Sequence, residues 1–202
     1  KDVTFDLHQG EILGFGGLSE SGMHEIGKAV FGASFDREGS VTLKDGTQIN
    51  DIPTAIKNSI AYTSKDRDNE SIVINQSIGD NIIMPSLNFL DYSKTPFINW
   101  KKAREFANEH AKEMSVKMQS VDQFVSELSG GNKQKVVLAR WIGKGSNIVV
   151  LDSPTRGIDI GVKQDIYQLM NQMRKNGKSI IMISEELMEL IGMCDRIIIM
   201  KD

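Results

Sequence analysis

One cysteine, four prolines and an aromatic content of 6% are scarce in this sequence of 202 residues, and the lone cysteine removes a class of protein. A lone Cys194 forms no internal disulfide, so no disulfide scaffold holds the fold. Beside a strand-like run it reads as a small buried thiol, compatible with a reducing compartment. Basic excess is missing as well. With 24 Lys and Arg against 27 Asp and Glu mixed along the chain, a net charge of -3 offers no stripe for a nucleic-acid backbone. Long apolar runs are absent too: Ile197-Ile198-Ile199-Met200 is about strand length, far below the roughly 18 residues a spanning helix needs. What remains is 40% hydrophobic and 25% charged, enough for one sizeable core with a small lobe attached. The chain opens at Lys1 without a signal-peptide pattern and stops at Asp202 directly after a strand-like run, and it is expected to be a fragment of a longer polypeptide.

Periodicity sorts the rest. Glu11 to Phe15, Asn147 to Leu151 and Ser179 to Ile183 are apolar runs bounded by Gly, Asn or Ser, the pattern of buried strands. Met23 to Phe31 carries Met23, Ile26 and Val30 on one helical face, with Gly32 placed to cap its end. Gly161 to Lys175 repeats Val162, Ile166, Leu169, Met170 and Met173 at helical spacing and closes on Arg174-Lys175 before Gly177. Strands alternating with helices of this length imply parallel pairing in an open α/β sheet. Val3 to Leu7, Ser40 to Leu43 and Ile60 to Thr63 suggest an antiparallel β patch beside it. Between residues 76 and 127 the pattern turns helical, most clearly over Trp100 to Met114, and is expected to form an inserted lobe whose loop-rich part runs from Pro85 to Trp100.

After the first strand come Gly17-Leu18-Ser19-Glu20-Ser21-Gly22-Met23-His24 and a helix, the scaffold and glycine spacing of a phosphate-binding loop. In such a loop backbone N–H groups and a helix N-terminus cradle the phosphates, a Lys meets the β/γ oxygens, and a Ser or Thr hydroxyl holds Mg²⁺. Gly17, Ser21 and Gly22 keep the frame of an ATP site, but Met23 and His24 stand at the two chemical positions. Methionine brings no charge, and imidazole is a poor ligand for a hard ion. Glu20 adds an anion in the loop, where two unit charges about 4 Å apart interact by roughly 4 kcal/mol at an effective dielectric of 20. Both changes weaken the hold on a triphosphate.

Downstream, Leu128-Ser129-Gly130-Gly131-Asn132 runs into the helix-forming Lys133 to Ile142. It sets a hydroxyl and close-approaching backbone N–H groups at a helix N-terminus, the kind of end that binds anions. Ile148-Val149-Val150-Leu151-Asp152 is an apolar strand ending in an acid, and Ser153-Pro154-Thr155-Arg156-Gly157-Ile158-Asp159 follows. Together these strings resemble the ABC-type ATPases in the form used by sugar importers, and the resemblance extends over essentially all 202 residues. The resemblance makes Leu128 to Asn132 the signature, Gly157, Ile158 and Asp159 part of the D-loop, and Asp152 the acid that holds the Mg²⁺ shell.

The resemblance also exposes departures. Ser153 stands where a Glu polarises the attacking water, and a serine hydroxyl is too weakly basic for that task. Glu185 stands at the switch histidine, and Lys65, within Tyr62-Thr63-Ser64-Lys65-Asp66-Arg67, at the usual Gln or Glu. No catalytic position is intact. The likeness is to the second domain of a tandem ribose/galactose/xylose-type importer ATPase, where an Arg followed by a Thr often fills the places that Met23 and His24 hold here. It implies a P-loop NTPase fold, a single ABC domain over residues 1–202 with a lobe near 76–127, and ATP and Mg²⁺ held weakly or not at all at its own loop. It implies as partners a second ABC domain, membrane permease subunits and, indirectly, a solute-binding protein, at the cytoplasmic face of the membrane. ATP in this family is sandwiched between the phosphate loop of one domain and the signature of the other.

Two other readings stand beside a non-hydrolysing half. One is an autonomous ATPase that rebuilds its site with His24 and water; the other is a soluble ABC protein acting as an interaction module in translation or DNA repair. The cargo is open between sugars and nucleosides, and no aromatic partner for adenine is in view. Phe89, Phe97 and Trp100 either pack inside the lobe or dock on a membrane subunit.

Overall fold

The apolar runs that become the inner strands are buried on both faces, which is what covering helices do to a parallel sheet, while the last strand of the chain lies at an edge and stays partly exposed. The computed structural model describes residues 3–34, 37–87 and 97–201. Strands β1 (Ile12–Gly17), β2 (Ile60–Thr63), β3 (Ile148–Asp152), β4 (Ser179–Ser184) and β5 (Arg196–Met200) form one sheet in the order β2-β3-β4-β1-β5, every pair parallel. The helices are α1 (Met23–Val30), α2 (Ile52–Lys57), α3 (Ile78–Ile83), α4 (Trp100–Glu113), α5 (Gly130–Gly143), α6 (Ile160–Lys175) and α7 (Leu187–Met193).

The chain divides into two compact units. The first takes in residues up to 65 together with 146–156 and 164 onward, and holds the sheet. Its core joins Leu13, Phe15, Met23, Val30, Val150, Ile181, Ile183 and Met200, with Phe5, Leu7, Ile26 and Tyr62 packed against them. Burying a side chain of this size contributes about 1.5–3 kcal/mol, so this cluster is the main source of the unit's cohesion. Gly32 ends α1 as expected: its φ of 73° lets Ala33 N–H reach the Lys28 carbonyl at 2.8 Å.

The second unit comprises 66–145 and 157–163 and contains α3, α4 and α5 but no strand among its described residues. Arg140 of α5 is buried in it and donates to the Asn81 carbonyl at 2.6 Å, the Asn81 Oδ1 at 3.0 Å and the Ser71 carbonyl at 2.5 Å. Burial pulls this guanidinium down to about 10.

The β patch departs from expectation. Ile60–Thr63 joins the parallel sheet as β2, paired with Ile148–Leu151 of β3, because an apolar run this short is buried as readily at the end of a parallel sheet as in a hairpin. Ser40 to Leu43 contributes one antiparallel bridge, Thr42 to Gln48, around the Asp45-Gly46 turn. Val3 to Leu7 forms no strand; Phe5 instead meets Phe15 edge-on at 4.9 Å.

Candidate functional site

The carboxyl ends of parallel strands are where an α/β sheet presents its chemistry, and four strands converge there by register. Gly16 of β1 lies opposite Ser184 of β4, Asp152 of β3 opposite Ile183 of β4, and Thr63 of β2 opposite Leu151 of β3. The residues that leave these ends are therefore neighbours: Ser19, Lys65, Asp152-Ser153 and Glu185. Sequence spacing alone does not show that adjacency, since it depends on the strand order.

The phosphate-loop segment makes the expected turn into α1. Ser21 N–H donates to the Leu18 carbonyl at 2.9 Å, and Gly22 caps the helix with φ 86°. Ser21 is fully buried beneath the turn. Met23 does not face the loop. It is completely buried in the apolar core against β1, β3 and β4, as its hydrophobicity dictates.

His24 takes a polar role. Its Nδ1 lies 2.7 Å from Asp152 Oδ1 and its Nε2 3.2 Å from Lys65 Nζ. The tautomer that satisfies both contacts carries its proton on Nδ1, donating to Asp152 and accepting from the ammonium. Asp152 is 1% exposed, and Tyr62 OH at 3.2 Å and Ser153 Oγ at 3.3 Å also donate to it. Ser153 holds a left-handed φ of 50°, a conformation costly for a residue with a Cβ, and its N–H is pinned to the Ile183 carbonyl at 2.9 Å.

Lys65 and Glu185 meet over the loop. Lys65 Nζ donates to Glu185 Oε1 at 2.7 Å and to Ser19 Oγ at 2.9 Å, while Ser19 Oγ donates to Glu185 Oε1 at 2.5 Å. The Lys65 ammonium, and next the Ser19 hydroxyl, hold the Glu185 carboxyl down to about 2. Among the described residues no group of three or more His, Cys, Asp or Glu has the arrangement of a metal site.

A second cluster lies behind this end of the sheet. Glu189 of α7 is buried and accepts from Tyr167 OH at 2.5 Å, from Ser184 Oγ at 2.8 Å and from the hydroxyl of Thr155. Burial, then the Glu189 carboxylate, raises the Tyr167 phenol above its ordinary value. No motif marked these residues. The clue in the sequence is the occurrence of an acid on α7 at a position where the helix must face the sheet.

The signature segment belongs to the helical unit. Ser129 is the N-cap of α5 and faces solvent; its hydroxyl accepts from Asn132 Nδ2 at 3.0 Å rather than from the helix backbone. Asn132 Oδ1 in turn accepts from Lys117 N–H at 2.8 Å. A Cβ on Gly131 would lie 2.8 Å from Val162 Cγ1, so only glycine lets α6 approach there. Gly130 and Gly157 are close, a Cβ on the former falling 3.5 Å from the Gly157 carbonyl, which sets the D-loop beside the signature. Leu128 and Ile158 are buried, whereas Ser129, Gly157 and Asp159 are exposed. Cys194 is half-buried, with burial pushing its thiol up to about 12.

A parallel sheet with a glycine-framed loop entering a helix, and an acid closing the strand one place beyond the neighbouring one, defines the architecture of a P-loop nucleotide-binding fold. The family model described as ABC transporter matches residues 1–156. The chain belongs to the ABC transporter family. It is 43% identical over its whole length to the ribose import ATP-binding protein RbsA of Lacticaseibacillus paracasei, covering 40% of that protein. Corresponding proteins of Lactococcus lactis subsp. lactis and Clostridium tetani are 41% and 39% identical, again over all of this chain and 41% and 40% of theirs. The chain thus spans about two fifths of the length of these relatives. Among solved structures, the ATP-binding cassette MJ0796 in a dimeric post-hydrolysis state with ADP and Pi aligns with a TM-score of 0.84 at 21% identity, covering all of this chain and 85% of that one. The cassette MJ1267 in its ADP conformation aligns at 0.76 and 20% identity, over 98% of this chain and 79% of that one. These likenesses establish the fold. No helix among the described residues is long and apolar enough to cross a membrane.

Proposed function

We propose that this chain is a nucleotide-binding domain of an ABC-type sugar importer, occupying the second position in a tandem ATPase subunit. In this reading Ser129, Gly130, Gly131 and Asp159 face the γ-phosphate of an ATP held by a partner domain, while the chain's own phosphate loop does not hydrolyse ATP. The whole-length kinship to ribose import proteins supports the class of transport. Residues 1–202 form one ABC domain, with a helical lobe near 76–127.

One observation carries the division of labour. The signature end is exposed and unobstructed by its own cap bond, whereas the loop end is filled by its own side chains. Mg²⁺-triphosphate does not fit the groups around that loop. Asp152 is engaged by His24, Tyr62 and Ser153; the ammonium of Lys65 is engaged by Glu185; Met23 lies in the core. Ser153 offers no base for water. ATP and Mg²⁺ therefore belong to the partner's loop, and this chain assists there through backbone N–H groups and the Ser129 hydroxyl.

The partners that follow are a second ABC domain, permease subunits in the membrane and a solute-binding protein beyond them, with the domain on the cytoplasmic face and no nucleic acid involved. Phe97 and Trp100, 77% and 62% exposed, supply an apolar contact for a permease loop; Phe89 lies outside the described residues. Replacing Ser129 with Trp in the assembled importer is expected to lower ATP hydrolysis and solute uptake by at least about a hundredfold, the scale of losing one oxyanion donor. Unchanged hydrolysis and uptake would refute the assignment. Cross-linking from position 97 or 100 should recover a permease subunit, and consistent failure to do so would count against docking.

A further inference from the structure

Met23, His24, Lys65 and Glu185 depart from the pattern of a working loop one by one, yet in space they answer one another. The cation that position 23 does not supply arrives from position 65 at the end of β2 and reaches the loop hydroxyl of Ser19 at 2.9 Å. The anion that such a cation would hold arrives from position 185 at the end of β4, 2.7 Å from the ammonium and 2.5 Å from the same hydroxyl. His24 closes the set, its Nε2 taking the third contact of the ammonium at 3.2 Å while its Nδ1 is fixed by Asp152. The pair sums to zero charge, and the two side-chain donors at the loop, the Lys65 ammonium and the Ser19 hydroxyl, already have oxygens or a nitrogen of the protein as acceptors.

We propose that Glu185 is the built-in anion of the phosphate loop: its carboxylate occupies Lys65 and Ser19, keeps polyphosphates out, and conceals a latent anion site centred on the Lys65 ammonium. The inference rests on the reading that the loop does not hydrolyse ATP, and it names the residue responsible for refusing the ligand. A side-chain carboxylate on a short tether competes at high effective concentration, so an anion from solution must displace it before meeting Lys65. The carboxylate side chain is 46% exposed, so the contact is reachable from solvent and its removal leaves the core untouched. Glu185 remains ionised throughout the working pH range, held there by Lys65 and Ser19. A polyphosphate bound this way needs no metal, because the cation is an ammonium and Asp152 stays with His24.

Titration calorimetry separates the possibilities. Inorganic tripolyphosphate and ATP, each without and with Mg²⁺, are titrated into the full chain, into Glu185→Gln, and into the double variant Lys65→Met with Glu185→Gln. Glu185→Ser serves as a second replacement, and thermal unfolding confirms that every variant is folded. The expected result is a gain of at least about tenfold in affinity for tripolyphosphate in both single variants, independent of Mg²⁺ and lost in the double variant. Equal affinity in Glu185→Gln, Glu185→Ser and the parent would overturn the proposal, as would a gain that survives loss of Lys65. A gain for ATP alone would also overturn it, because binding would then lie outside the loop. Brisk Mg²⁺-dependent hydrolysis by the parent chain would sink the underlying reading instead, an outcome distinct from a flat response of the position-185 variants.

Discussion

Three hydroxyls share one buried carboxylate at Glu189, and its neighbours reveal what it does. Thr155 lies on the segment that leads out of the Asp152 strand, Tyr167 on α6, and Ser184 at the end of β4. Glu189 therefore ties three elements at the carboxyl end of the sheet without touching the loop. Glu189→Ala leaves buried donors without an acceptor, each worth about 1–3 kcal/mol, and is expected to lower stability by about 3 kcal/mol or more in a denaturant titration. Glu185 behaves differently because it is exposed. Lys65 and Ser19 hold its carboxyl down to about 2, below the ordinary 4.5 of a glutamate, so its contribution to stability is present above pH 4.5 and lost as pH falls toward 2. The melting temperature is expected to fall through that window by less in Glu185→Gln than in the parent chain. Solvent screening keeps the difference small, and identical profiles would show that the Lys65 contact contributes nothing.

Among elements, legibility tracked burial and length. β1, β3 and β4 were readable because each is an unbroken apolar run, and α1 and α6 because their apolar faces repeat at helical spacing and end at a glycine. β2 was assigned to the wrong partner, since four residues carry no period long enough to distinguish a parallel neighbour from an antiparallel one. α2 escaped notice although Asp51 caps it and Pro53 sits in its first turn; six residues do not build a face. At the site, motif order in the sequence singled out Lys65, Asp152 and Glu185, but the pairing of Lys65 with Glu185 depends on β2 and β4 flanking β3, a long-range fact. The same logic marks Arg140, whose forked guanidinium joins α5 to residues 71 and 81. Lysine lacks the fork, so Arg140→Lys is expected to cost about 2–4 kcal/mol in chemical denaturation. A change under about 0.5 kcal/mol would mean that solvent replaces those bonds.

For the molecule as a whole, the proposed division of labour assigns the chemistry of hydrolysis to a partner domain, and that assignment has a direct test in nucleotide affinity. Mg-ATP is expected to bind this chain more weakly than about 10 µM, equivalent to roughly 7 kcal/mol, and tighter calorimetric binding would contradict that. The position of Met23 also governs what a cation placed there could do. Position 23 has no exposed surface and packs among Leu13, Phe15 and Ile183. A lysine at that place would either strand its charge in hydrocarbon or vacate the core to reach the loop. Supplying the missing charge by this one exchange therefore trades phosphate affinity against the packing that seats the first helix on the sheet.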